Sequence, residues 1–272
     1  MIRKHWMVRY RPPETSETIR SLVNEVGLYD YESVLFTVHP LLSDMWTKIA
    51  VSVNPNHKFK YMIAFRPYLF SPQYLAMLIS SFNEISNNRL MLNLVHGTPS
   101  SKETFNSIVD GERLLDQKYR KDYAKDFVYK LFNDAEMFTP YDMPEILVSG
   151  SSDDSIDLAK NTCNSIAMFY ESFIENPERY TGKKFDKIFV FLSVLVRETD
   201  EDAEKEVAAI PEERRTVNGS PIYGSKETIT KKIIELQDLG VTDIFFSQFD
   251  QDHDTKEVHQ FLNELTGSGI IR

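Results

Sequence analysis

Residues 58–103 read KFKYMIAFRPYLFSPQYLAMLISSFNEISNNRLMLNLVHGTPSSKE and contain a strand, a helix and a second strand in succession. The apolar run at 59–65 is typical of a strand that is buried on both faces, and Arg66-Pro67 ends it because proline lacks the N–H that a sheet requires. Ser71-Pro72 is expected to cap and start the helix, and residues 90–95 form the next strand. These elements predict a parallel βαβ unit with a right-handed crossover.

The same alternation of strands and helices extends over the rest of the chain. Six further strands are predicted at 5–10, 33–38, 146–149, 166–170, 187–196 and 243–247. Further helices are predicted at 14–26, 44–51, 114–132, 154–162, 171–180, 200–209 and 226–239. Eight strands alternating with helices predict an α/β protein of the (β/α)8 TIM-barrel type, whose functional sites lie at the carboxyl ends of the strands. A length of 272 residues suits one domain that spans residues 1–272.

Composition excludes several classes of protein. The net charge of −10, with 41 acidic and 31 basic residues, argues against a nucleic-acid surface. The single cysteine, Cys163, excludes an internal disulfide and fits a reducing compartment. No stretch of about 18 apolar residues occurs, so we expect a soluble cytoplasmic protein without a membrane partner. No cluster has zinc-ligand spacing, and the acidic stretch 250–254 is interpreted as a solvated loop, so we expect no metal.

Two strand ends carry polar residues that suit ligand binding. Ser149, Gly150, Ser151 and Ser152 lie between a predicted strand and a predicted helix, where backbone N–H groups and hydroxyls converge at a positive helix terminus. This pattern indicates either an anion site or an ordinary helix N-cap, and the residues alone favour the cap. His96-Gly97-Thr98 follows another strand, where glycine permits close approach of a ligand and the histidine is equally compatible with a structural hydrogen bond.

Five stretches of the sequence, in order, carry a resemblance to a known family. The run AFRPYLFSPQYLAMLISSFNEISNNRLMLNLVHGT resembles the bacterial luciferase-like flavin monooxygenases, and within them most closely the alkanesulfonate monooxygenase branch. SVLFTVHPLLSDMW, PEILVSGSSDDSIDLA, LVRETDEDAEKE and GSKETITKKIIELQDLGVTDIFFS agree with it in order and spacing, so the resemblance covers most of the chain. It independently implies the (β/α)8 barrel, with shortened insertions at 133–144 and 214–223.

The resemblance assigns cofactor-binding roles to several of these residues. Ala64 and Phe65 stand where the family presents backbone to the flavin ring, although Phe65 is equally compatible with the core. The loop of Ser149, Gly150, Ser151 and Ser152 corresponds to one that contributes to holding the flavin phosphate. Tyr119, in a degraded form of a family motif, and the group His96, Gly97 and Thr98 are further candidates; a helix-packing role for Tyr119 remains open.

The departures from the family concern the substrate pocket. Phe191 and Ser193 stand where the sulfonate-cleaving enzymes carry an arginine and a histidine, and Leu42 replaces a family cysteine. Arg11 aligns with a family histidine and Phe169 with a tryptophan. Arg11, His96 and Ser193 are therefore the candidate catalytic residues of a pocket that suits an apolar substrate better than a sulfonate.

The resemblance implies a monooxygenase of a two-component system. Such an enzyme uses reduced FMN from a separate flavin reductase and molecular oxygen to act on a small organic substrate. The family pairs through helices near the second and third strands, here around 45–51 and 71–82, so we expect a homodimer. Two alternatives stay open: a non-catalytic flavin-binding or partner subunit, and an oxidoreductase that uses a deazaflavin.

Overall fold

The computed structural model describes residues 1–8, 15–37, 44–97, 107, 109, 111–133, 143–182, 184–210, 222–249 and 255–272. Over these residues it contains nine parallel strands: β1 (Arg3–Val8), β2 (Ser33–Phe36), β3 (Lys60–Phe65), β4 (Leu90–Val95), β5 (Glu145–Ser149), β6 (Ser165–Phe169), β7 (Lys187–Arg197), β8 (Ile222–Ser225) and β9 (Asp243–Gln248). Eight of them close a ring, in which β7 pairs with β6 and β9, and β9 pairs with β1. The predicted (β/α)8 barrel is confirmed.

The helices cover the outside of this ring. Those described are α1 (Ser16–Val26), α2 (Met45–Ala50), α3 (Pro72–Ser86), α4 (Gln117–Asn133), α5 (Asp153–Thr162), α6 (Tyr170–Glu175), α7 (Asp200–Ala209), α8 (Lys226–Asp238) and α9 (Thr255–Gly267). Side chains of Thr15, Ser71 and Ser225, among others, accept a hydrogen bond from the first turn of the helix that follows them. None of the helices in the described ranges is long and apolar enough to cross a membrane.

The barrel interior is a packed core. Because side chains alternate along a strand, every second residue points inward. The inward apolar residues form one buried cluster: Met7, Leu35, Met62, Ala64, Met91, Leu147, Ala167, Phe189, Phe191 and Phe245. Rings of Phe189 and Phe191 each stack on Phe245, with centroids 5.4 and 5.2 Å apart. This stack closes the barrel between its two ends.

Polar groups close the amino-terminal end. His5 Nδ1 lies 2.7 Å from Ser33 Oγ, and His5 Nε2 lies 2.8 Å from Asp243 Oδ1. Arg3 and Thr242 each donate a hydrogen bond to Asp243 Oδ2, both at 2.6 Å. His5, Ser33 and Asp243 are at most 1% exposed. The buried carboxylate is therefore fully paired, which offsets the free-energy cost of burying its charge.

Several predicted boundaries need correction. The helix predicted at 114–132 begins at Gln117, because residues 113–115 form a 3₁₀ turn that leaves Leu115 65% exposed. The helix predicted at 171–180 ends at Glu175, because Pro177 restricts Asn176 to a non-helical conformation. Strand β8 and helix α9 were not predicted. β8 pairs with Val194–Arg197 of β7, beyond the eight-stranded ring.

Candidate active site

A cavity of about 360 Å³ opens at the carboxyl ends of the strands. This volume lies within the range of roughly 300–1,000 Å³ that is common for ligand pockets. Most of its wall is hydrocarbon, and its lining is Met7, Leu35, Thr37, Ala64, Phe65, Arg66, Asn93, Val95, Ser149, Gly150, Ser151, Ala167, Met168, Phe169 and Phe191. Its position is that of the active site in (β/α)8 enzymes.

The structure brings together five of the residues predicted for the cofactor. Ala64, Phe65, Ser149, Gly150 and Ser151 all line the cavity. Phe65 is fully buried and its ring packs in the outer core. It therefore contacts the cavity only with the atoms on its inward side. The sequence thus located this side of the site.

Other candidates lie outside the lining. Ser193 is buried, with its Oγ 3.2 Å from Ser247 Oγ, and its catalytic role stays a prediction. Tyr119 is half-buried on α4, beneath the Arg113 guanidinium at 4.2 Å from the ring centre. Arg11 and Thr98, like Leu42 and the acidic stretch 250–254, lie outside the described residues.

The two serines that begin α5 have different roles. Ser152 is exposed, and its Oγ accepts a hydrogen bond from the Ser155 N–H at 3.2 Å, which is the N-cap interaction. Ser151 lines the cavity, its carbonyl accepts a hydrogen bond from Tyr180, and its hydroxyl has no hydrogen-bond partner among the described residues. Gly150 connects them to β5 with φ of 146°, a conformation that favours glycine. Of the two serines, Ser151 is the one whose hydroxyl is available to a ligand.

The first turn of α5 is acidic, but its carboxylates are paired with cations. Asp153 pairs with Arg179 at 2.5 Å and Asp154 pairs with Lys121 at 2.9 Å. The Lys121 hydrogen bond, ahead of one from Gln117, lowers the pKa of Asp154. These contacts offset the repulsion that unpaired carboxylates would exert on an anion near Ser151.

His96 occupies a buried position beside the same loop. Its ring Cε1 lies 3.9 Å from the point where a Cβ on Gly150 would stand, and its Nδ1 is buried with no hydrogen-bond partner among the described residues. Burial, above all, lowers the pKa of His96 to about 4; Asp154 opposes this shift, and Arg120, Arg66 and Lys121 add to it. The imidazole is therefore neutral at pH 7, with the carboxylate of Asp154 and the cations Arg120, Arg66 and Lys121 around it.

Helix α8 presents a second helix terminus near the carboxyl ends, and this one is filled. Asp200 accepts a hydrogen bond from the Ser225 N–H at 2.6 Å and from Thr228 Oγ1 at 2.8 Å. These bonds, led by that of the Ser225 backbone, lower the pKa of Asp200. A carboxylate of the protein thus takes the place that an external anion would need, whereas no side chain of another helix covers the start of α5 in this way within the described residues.

Asn93 is a cavity residue that the sequence analysis left without a role. It lies on β4 between Met91 and Val95, all of which face the interior. Its Oδ1 accepts a hydrogen bond from Ser149 Oγ at 2.6 Å. The period-2 alternation of β4 contained this signal, because a polar residue among inward apolar ones marks a position that contacts a ligand or a polar partner.

Solved structures share this fold. No family model matches the sequence. The chain is similar to long-chain alkane monooxygenase (LadA), with a TM-score of 0.75 and 12% identity over 100% of this chain and 92% of that chain. The oxygenating constituent of 3,6-diketocamphane monooxygenase from Pseudomonas putida, in complex with FMN, gives a TM-score of 0.74 and 16% identity over 97% and 96% of the two chains. The coenzyme F420-dependent tetrahydromethanopterin reductase from Methanopyrus kandleri gives 0.69 and 11% over 97% of each chain.

At these identities the likeness establishes the fold alone, a (β/α)8 barrel. The similar structures include both FMN-binding and F420-dependent proteins, and none of the three acts on an alkanesulfonate by its name.

Proposed function

We propose that the protein is the oxygenase of a two-component monooxygenase, which binds reduced FMN and acts with molecular oxygen on a small, rather apolar substrate. The observation that carries this proposal is an apolar cavity that adjoins the start of α5, where the Ser151 hydroxyl and the helix N–H groups suit an anion. A flavin mononucleotide has the same two parts, a flat ring system and a phosphate. A separate reductase would supply the reduced flavin, and we expect a cytoplasmic homodimer.

The residues present fit this cofactor. Ser151 has a hydroxyl without a partner among the described residues, and His96 has a buried Nδ1 in the same condition. Both suit phosphate oxygens, and Gly97, Thr98 and Tyr119 are further residues proposed for this site, whereas the Ser149 hydroxyl is already donated to Asn93. Ala64 and Phe65 would contact the ring system. When bound, reduced flavin supplies the electrons for the activation of oxygen.

The chain itself would orient the substrate and keep water away. Met7, Leu35 and Phe191 line the cavity with apolar side chains, which form no hydrogen bonds to water. The cavity therefore favours an apolar substrate over a hydrated one. Arg66 lines the cavity and donates a hydrogen bond to the Gly97 carbonyl at 3.1 Å, which joins two strand-end loops. Arg11, His96 and Ser193 are the residues proposed to bind or move protons there.

Separate substitutions of the two serines test the cofactor site. Ser151→Ala should weaken FMN binding at least tenfold, about 1.4 kcal/mol, because a hydrogen bond to a charged group contributes roughly 1.5–3 kcal/mol. Ser152→Ala should cost about 1 kcal/mol of stability through the lost cap and change FMN binding less. Binding of riboflavin, which lacks the phosphate, should be unchanged in both variants, as titration by fluorescence quenching would show.

The opposite pattern would contradict the proposed phosphate site. Equal losses for FMN and riboflavin in Ser151→Ala would mean general damage to the cavity, and no loss for either would place the phosphate elsewhere. Oxygen consumption with reduced FMN and a panel of apolar substrates then tests the activity itself. Uptake of oxygen that yields only hydrogen peroxide and oxidised FMN, with no oxygenated substrate, would support a non-catalytic flavin-binding subunit instead.

A deazaflavin-dependent oxidoreductase is the second candidate. The F420-dependent reductase from Methanopyrus kandleri shares the fold over 97% of each chain. Absorbance and mass spectrometry of the cofactor that copurifies with the protein distinguish the two. A bound deazaflavin, or tighter binding of F420 than of FMN by the purified protein, would replace the FMN proposal.

A further inference from the structure

The cavity contains one buried amide that has a donor to spare. The Asn93 side chain is buried, with the residue 3% exposed, and it lines the cavity. Its Oδ1 is engaged by the Ser149 hydroxyl at 2.6 Å, so the remaining hydrogen-bonding group is the NH₂. No described residue accepts a hydrogen bond from this group. In this orientation the amide presents its donor, rather than its acceptor, to the cavity.

Part of the cavity wall is aromatic. Phe169 ends β6 and Phe191 lies beside it on β7, with their ring centroids 5.5 Å apart. Phe169 is 42% exposed at the mouth of the cavity, whereas Phe191 is buried. In the eight-stranded ring, Phe169 on β6 and Phe191 on β7 stand two and three strands from Asn93 on β4, and all three residues line the cavity. A guest in the cavity can therefore contact both apolar rings and an amide donor.

Among the described residues of the lining, charge is nearly absent. None of them is a carboxylate, and the one cation among them is Arg66, which donates to the Gly97 carbonyl and lies over the Tyr68 ring at 5.8 Å. A carboxylate or sulfonate bound at Asn93 would lose its hydration for a neutral donor, which is strongly unfavourable. A hydrocarbon would leave the Asn93 donor unpaired in an apolar surrounding, which also costs free energy.

We infer that Asn93 determines specificity in this cavity, and that it selects uncharged compounds with one accepting oxygen, such as a ketone or aldehyde carbonyl, on a compact apolar body. Asn93 donates to that oxygen, and Ser149 acts as a positioning residue through its hydrogen bond to Oδ1. The inference rests on the proposed function in one respect, which is that the cavity receives a substrate as well as the cofactor.

Binding of three probes of similar size tests the inference. Cyclohexanone, methylcyclohexane and cyclohexanecarboxylate are titrated into the FMN-loaded protein and followed by ligand-observed NMR at pH 7.5. The unaltered protein should bind the ketone at least tenfold tighter than the alkane, and the carboxylate weakest of all. Asn93→Leu, which keeps the volume and removes the donor, should reduce the preference for ketone over alkane to about one. Ser149→Ala should reduce it part of the way.

A matched control is Ser165→Ala. Ser165 is another serine on a barrel strand; it is buried, its hydroxyl donates to the Cys163 carbonyl at 3.3 Å, and it does not line the cavity. Its substitution should leave the ketone preference unchanged. An equal loss in Ser165→Ala would show that the effect arises from general loosening of the barrel, and it would overturn the inference.

Flavin titrations of the same variants separate this inference from the proposed function. If Asn93→Leu weakens FMN and riboflavin alike and leaves the ketone preference intact, Asn93 belongs to the flavin-ring site and the inference is wrong. If the protein binds no flavin, the proposed function fails. The probes are then titrated into the flavin-free protein, where a ketone preference that Asn93→Leu abolishes supports the inference and the lack of one refutes it.

Discussion

Removal of the Asp243 carboxylate should be among the most destabilising single changes in the described barrel. This side chain accepts hydrogen bonds from Arg3 and Thr242 and lies 2.8 Å from His5 Nε2, and it is fully buried. Asp243→Ala leaves the buried His5 ring and the Arg3 guanidinium without this partner, and breaking a buried charge pair typically costs about 3–5 kcal/mol. The free energy of unfolding of a domain is about 5–15 kcal/mol, so this substitution should remove a large fraction of it.

Urea unfolding followed by tryptophan fluorescence measures this loss. Asp243→Asn is the matched variant, because it keeps the volume and one accepting oxygen, and it should cost less, about 1–3 kcal/mol. The cluster closes the amino-terminal end, which in this fold serves stability, so FMN affinity of the folded variants should be unchanged. A loss below about 1 kcal/mol for Asp243→Ala would refute the reasoning.

The pH dependence gives a second test of the same cluster. Burial by itself would raise the pKa of Asp243, but hydrogen bonds from His5 and Arg3 outweigh it and hold the pKa below the ordinary value of 3.8. A carboxylate with a lowered folded-state pKa stabilises the protein fully above its unfolded-state pKa, and the contribution is lost as pH falls through the folded-state value. The stability difference between the unaltered protein and Asp243→Asn should therefore be constant above about pH 5 and shrink below about pH 4.

Three further changes probe other parts of the molecule. Gly150→Ala should lower the melting temperature, because φ is 146° and the new Cβ would stand 2.2 Å from Ser155 Oγ, whereas Gly97→Ala, with no atom within 4 Å of its Cβ, is the control that should not. Met77 is 65% exposed on α3 and should lie in the expected dimer interface. Light scattering should therefore show a dimer that Met77→Glu dissociates, and a monomeric unaltered protein would exclude this interface. Tyr119→Phe should weaken FMN about tenfold and riboflavin little if its hydroxyl reaches the phosphate, and equal losses would assign it to packing.

The sequence predicted the barrel because its strands are continuous apolar runs. Strand β4 was predicted with the boundaries it has, and α7 likewise, since each is delimited by polar or helix-capping residues. Helix α9 escaped prediction although Val258, Phe261, Leu262 and Leu265 recur at helical spacing, a signal that could have been found. The four residues of β8 carry no comparable signal, because its pairing with β7 depends on tertiary contacts.

The site was predictable in position more than in detail. Strand ends of a parallel barrel converge, which brought Ala64, Ser149 and Ser151 to one cavity as expected. The sequence did not predict that Ser152 caps the helix and Ser151 lines the cavity, because either hydroxyl could have been the cap. Likewise, the pairing of Ser149 with Asn93 joins residues 56 positions apart, and only the register of β4 and β5 reveals it.

The two ends of the barrel differ in whether a substrate can reach them, rather than in the kinds of groups present. His5, Ser33 and Asp243 place an imidazole, a hydroxyl and a carboxylate in one hydrogen-bonded row, the groups of a serine hydrolase with the two ring nitrogens exchanged. No substrate reaches this row, because the rings of Phe189 and Phe245 lie over His5, with centroids 5.3 and 4.9 Å from its own. The groups that could react are thus covered by aromatic rings at the amino-terminal end, whereas the open carboxyl end presents mostly hydrocarbon.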